Sequence, residues 1–203
     1  MEKIRQNIFG IGEVYELQRE GQWVERNRES YREYGYFGGG RAPSPVSTTV
    51  VERVDYSNDT VTSNSKNTLI FAERQAGAVG NSDFGYWGAG SPARSTVQRV
   101  DYSNETASVR ANLNYATSFG RMAIGNNNFA YWGGAYSTSP TIYRTQLDRI
   151  EYSNDLVSPT LRGFLPTLTR MSPGSLSRNN DFGYYASGLA TGPGASLTVA
   201  RLP

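Results

Sequence analysis

The chain has 203 residues, a formal net charge of +2, and neither Cys nor His. Lacking Cys, it has no disulfide, thiol nucleophile or thiolate metal site; lacking His, it has neither the commonest general base nor the commonest transition-metal ligand. So small a net charge predicts no nucleic-acid partner, and no apolar run approaches the ~18 to 20 residues that span a bilayer, so membrane insertion is not expected.

Residues 1–33 hold seven Glu and six Lys or Arg. Within them Glu13-Val14-Tyr15-Glu16-Leu17 alternates, Gly21 offers a turn and Trp23-Val24 adds an apolar pair, which predicts a hairpin. The segment reads either as an attachment element for a larger assembly or as a first hairpin with a charged solvent face. Met1 to Gly10 lacks the apolar core of a signal peptide, so synthesis in a cytoplasm is expected.

From Tyr34 onward the chain repeats itself. An aromatic-Gly segment reads YGYFGGG at Tyr34 to Gly40, FGYWGAG at Phe84 to Gly90, FAYWGGA at Phe129 to Ala135 and FGYYASG at Phe182 to Gly188. The first three copies lead to VERVDYSNDT from Val51, VQRVDYSNET from Val97 and LDRIEYSNDL from Leu147; the fourth leads to SLTVARLP. Self-similarity at about 50 residues marks a repeat architecture. Abundant Gly, Tyr, Ser, Thr and Asn, with no long helical periodicity, predict an all-β fold of short strands and polar turns. In the second unit four strands are expected, over Arg74 to Gly80, Phe84 to Gly88, Thr96 to Tyr102 and Ala107 to Leu113. Between the last two, Ser103-Asn104-Glu105, like Ser57-Asn58-Asp59 and Ser153-Asn154-Asp155, predicts a tight turn.

The alternating strand carries Arg53 and Asp55, then Arg99 and Asp101, then Arg149 and Glu151 on one face. Residues i and i+2 of a strand share a face, so each Arg lies beside a carboxylate. The planar guanidinium suits pairing, and these residues are read as Arg-carboxylate pairs joining neighbouring units rather than as a charged binding row. On the aromatic strand Gly is expected to allow close approach, while Phe37, Trp87, Trp132 and Tyr185 fill the space between layers. Gly38-Gly39-Gly40 has no following Lys-Ser or Lys-Thr, which argues against a phosphate loop.

Four-stranded units of this length, with a Gly-Gly doublet at Gly38-Gly39 and Gly133-Gly134, resemble the Kelch repeat of β-propellers. Gly88-Ala89 nearly matches the doublet and Ala186-Ser187 has lost it. Candidates for the Arg that often precedes the innermost strand are Arg74, Arg121 and Arg170. The Trp that the family shows after the Tyr is missing from the three clear units. The wording is also similar to Kelch-like repeats in structural proteins of tailed bacteriophages, especially phages of marine cyanobacteria, over residues 34–203. Three whole units and a partial fourth lead to an expected small Kelch-like propeller of about four blades, one of them completed by both termini. An open array completed by another subunit is the alternative. The resemblance implies a virion part of the tail, fibre, neck or capsid, present in a symmetric number of copies beside other virion proteins, and not an enzyme.

Binding residues favour loops on a rigid scaffold. Here the connections are Arg41 to Ser47, Gly90 to Ser95, Tyr136 to Thr145 and Leu189 to Ala195. The third is the longest, and its Tyr136, Tyr143 and Arg144 suit a protein interface or stacking on a host-surface glycan. No cofactor or metal is expected. Copper-radical chemistry, found on some Kelch propellers, needs His and Cys. Asp55, Asp101 and Glu151 could in principle converge for glycoside hydrolysis, but their equivalent places in successive repeats argue for a structural role. Asp59, Glu105 and Asp155 are only weak calcium candidates.

Overall fold

The computed structural model describes residues 34–41, 43, 46–62, 68–119, 121–138, 140–165, 174–177, 182–186 and 199–202. The chain divides into two compact units, Met1–Glu33 and Tyr34–Pro203. The predicted N-terminal hairpin, Arg170, the connection Leu189 to Ala195 and the proposed meeting of the termini lie outside the described residues.

The second unit is all-β, with strands arranged as three four-stranded antiparallel sheets and one three-stranded sheet. The first sheet contains β1 (Tyr34–Gly38), β2 (Thr48–Asp55), β3 (Thr60–Thr62) and β4 (Thr68–Glu73), the last two both pairing with β2. The second runs β5 (Gly77–Gly80), β6 (Phe84–Gly90), β7 (Arg94–Asp101), β8 (Thr106–Thr117). The third runs β9 (Met122–Gly125), β10 (Phe129–Thr138), β11 (Thr141–Glu151), β12 (Thr160–Phe164). The fourth holds β13 (Gly174–Ser177), β14 (Gly183–Ala186) and β15 (Val199–Leu202). Thus the repeat unit is one meandering sheet. Its order follows from the sequence: apolar-polar alternation makes each strand, and each Tyr-Ser-Asn turn returns the chain beside it.

The two residues of the Gly doublet have different duties. Gly39, Ala89 and Gly134 hold φ of 76°, 54° and 61°, and irregularities in strand pairing fall at Gly88/Gly90 and Gly133/Ala135. This left-handed bulge suits Gly best, and Ala89 occupies it at some cost. The preceding residue is a matter of room: a Cβ on Gly88 would lie 2.9 Å from Trp132 Nε1, and one on Gly38 would lie 2.7 Å from Trp87 Nε1.

Each core cluster therefore spans two neighbouring sheets. Val51 and Leu69 of the first sheet pack with Trp87 and Val100 of the second. Tyr86, Val97 and Leu113 of the second pack with Trp132, Ile150 and Tyr152 of the third. Met122, Ile124 and Leu147 of the third pack with Tyr185 of the fourth. Trp132 is fully buried and its indole N–H donates to the Gly77 carbonyl at 3.0 Å, so its polar edge is satisfied across the interface. Phe37 departs from the sequence expectation: it is 62% exposed, because no described sheet precedes the first for its ring to cover.

Candidate functional site

Repetition separates residues that hold the sheets together from residues that do something else. Arg53 pairs with Glu105 at 2.5 Å and Arg99 with Asp155 at 2.9 Å, so each joins one sheet to the next. Tyr36 donates to Glu105 at 3.5 Å and Tyr86 to Asp155 at 2.9 Å, alongside the guanidinium. The tyrosines also stack across the same interfaces, Tyr36 on Tyr102 at 4.7 Å and Tyr86 on Tyr152 at 5.1 Å. Burial and the adjacent Asp155 carboxylate hold the Tyr86 hydroxyl well above the ordinary tyrosine pKa. Behind each Arg lies the first aromatic of its own unit: Arg53 over Tyr34, Arg99 over Phe84, Arg149 over Phe129.

The carboxylate in this latch is the turn residue, and that corrects the sequence reading. Asp55 and Asp101 do not bridge units. Each accepts from the amide and hydroxyl of the Ser two residues on, Ser57 and Ser103, which closes the turn and lowers the carboxyl pKa. A short Asp satisfies the local turn before it can reach a neighbouring sheet. Arg149 pairs at 3.1 Å with Glu151 of its own strand. The calcium candidates Glu105 and Asp155 are occupied by Arg, and among the described residues no group of three or more metal-ligating side chains occurs.

Gln98 and Asp148 form a second repeated contact, both fully buried at equivalent places. Gln98 accepts from the Phe71 amide at 2.7 Å and donates to the Phe71 carbonyl at 3.2 Å, so one side chain satisfies both backbone groups of the preceding sheet's outer strand. Asp148 accepts from the Asn114 amide and side chain and pairs with the buried Arg121 at 3.3 Å. Arg121 stands just before strand β9.

The third connection is not a loop. Strands β10 and β11 continue past the bulge as a two-stranded ribbon, with Tyr136 opposite Tyr143, Ser137 opposite Ile142 and Thr138 opposite Thr141. Tyr136 and Tyr143 stack with centroids 5.2 Å apart, and the Phe119 ring lies tilted with its centroid 5.9 Å from that of Tyr136. All three are half-buried. They make a short aromatic shelf, the only one of its kind among the described residues.

Arg144 does not belong to that shelf. Its guanidinium lies over Tyr115 at 3.8 Å, as Arg94 lies over Phe71 at 4.6 Å one unit earlier, so it is another inter-sheet contact. Phe119, absent from the sequence-level selection, joins Tyr136 and Tyr143 instead. The sequence signal for it was weak, since Phe119 stands where the preceding unit has Arg74.

A groove of 680 Å³ runs beside β1, lined by Gly38 to Gly40, Val50, Ala76, Ala78 and Trp87 with Arg41 and Glu52 at its margin. Tyr36 and Thr48 add hydroxyls to this lining. No family model matches the chain, and no curated protein matches it significantly.

Proposed function

We propose that the protein is a non-enzymatic structural component of a tailed-phage particle, a protein-protein interaction module of its tail, fibre, neck or capsid. In this reading it is made in the host cytoplasm and resides in the virion beside other virion proteins, without cofactor, nucleic acid or membrane. The sheets are the blades of a small Kelch-like propeller of about four blades, one completed by both termini. The observation that carries the reading is the division of labour just described. The repeated Arg, Tyr, Gly and Trp residues are used up in joining sheets, which leaves an unrepeated half-buried aromatic shelf for a partner. Half-buried, rigid aromatics are what interface anchors require.

Mass spectrometry of gradient-purified particles tests it: peptides of this chain are expected in a symmetric copy number. Detection only in the soluble extract of infected cells would overturn it. The Tyr136-Tyr143 stack also favours a second reading, a host-surface carbohydrate-binding module, because flat aromatic faces stack on sugar rings. A glycan array that stays blank at high protein concentration removes that reading.

A further inference from the structure

The latch between sheets has a receiving half and a giving half, and among the described residues one of each is exposed, on the first and fourth sheets. On the second and third sheets the receiving half is Trp87, Tyr102 and Glu105, then Trp132, Tyr152 and Asp155; each set is covered by the sheet before it. The first sheet presents the same three positions as Phe37, Tyr56 and Asp59. Phe37 is 62% exposed, Tyr56 is 59% exposed, and Asp59 is exposed at a φ of 55°, the same turn conformation as Glu105 at 56°. Tyr56 lies against Gly35, as Tyr102 lies against Gly85.

The giving half is the Tyr that Tyr36 and Tyr86 supply from their sheets. On the fourth sheet that position is Tyr184, which is 40% exposed. Among the described strands, β5 packs on β9 and β9 on β13. A chain closed upon itself would cover both halves.

We infer that the Phe37-Tyr56-Asp59 face of the first sheet is a docking surface for the Tyr184 face of a second copy of this chain. The contact is head to tail, the same one already made twice inside the chain. Such a heterologous contact closes into a ring or runs on as a filament. The inference rests on the blade reading but replaces a blade completed by both termini of one chain with a closure between copies.

Light scattering of the unsubstituted protein should give a molar mass that rises with concentration above that of one chain; one-chain mass throughout would overturn the inference. Asp59→Asn keeps the left-handed turn but removes the charge, and together with Tyr56→Ala should weaken association at least about tenfold; unchanged association would overturn it. Location is read by crosslinking, since the chain has no native Cys. Chains carrying Tyr56→Cys and chains carrying Tyr184→Cys, co-expressed with different tags, should be joined by a short bismaleimide into a species of two-chain mass. A link formed only within a doubly substituted chain overturns the inference and leaves the blades standing, as does no link at all where a Tyr36→Cys/Tyr102→Cys control chain links normally. Failure of that control removes the inference and the stacked blades together.

Discussion

Arg99 of the second sheet and Asp155 of the third meet at 2.9 Å, and the same carboxylate oxygen accepts the Tyr86 hydroxyl at 2.9 Å. Arg110 completes the set at 3.4 Å. Removing the carboxylate strands two guanidinium groups and a buried phenol, so Asp155→Ala is expected to cost about 3 kcal/mol. Asp59→Asn, at the equivalent but exposed position and with a side chain that tolerates its left-handed backbone, should cost less than about 0.5 kcal/mol in the dilute single chain. Urea unfolding of both variants checks the contrast.

Glu73 ties stability to pH. It is 1% exposed, and burial pushes its pKa up to about 7 against the lowering pull of Gln98 and Arg94. The native state therefore holds this proton more tightly than the unfolded chain. Stability is full below the unfolded value of 4.5, falls as pH rises from there to about 7, and is level above that. Glu73→Gln should stabilise the protein by up to about 3 kcal/mol at pH 8 and have little effect at pH 4. Thermal unfolding at the two pH values reads the difference.

Gly88 and Trp132 are matched in shape. Gly88→Val should cost about 3 kcal/mol, because the side chain has only the Trp132 indole edge and Val97 to move into. Trp132→Phe removes the bond to Gly77 and part of the volume, and about 2 kcal/mol is expected. Denaturant midpoints of both variants test this.

The turns differ in what closes them. Asn58 and Asn104 each accept from the amide and hydroxyl of Thr60 and Thr106. The third copy has Leu156 at that place and its turn tightens to a 3-10 form over Tyr152–Asn154. Asn104→Ala should therefore lower stability by about 1 kcal/mol and Asn154→Ala by measurably less, as compared by chemical unfolding.

Much of the fold was legible because the repeat states each strand several times. Phe84 to Gly88 and Thr96 to Tyr102 fall within β6 and at β7 because period-2 alternation and a Gly doublet leave little choice of register. Which partner an Arg finds was not legible. Arg53 and Asp55 share a strand face, but the nearer Ser57 captures Asp55, and the tertiary neighbour Glu105 lies 52 residues away. The shelf was half legible: the aromatics of the third connection were visible, whereas the same-spaced contact that absorbs Arg144 required the position of Tyr115. Phe37 shows the remaining limit, since an end unit has the sequence of a buried residue without a described sheet to bury it.

Function separated from scaffold is the central claim, and one comparison tests it directly. The variant Tyr136→Ser/Tyr143→Ser should unfold within a few degrees of the parent protein, yet be lost from purified particles by at least about tenfold. Retention in particles at parental copy number, or collapse of the fold on making the substitutions, would contradict the account.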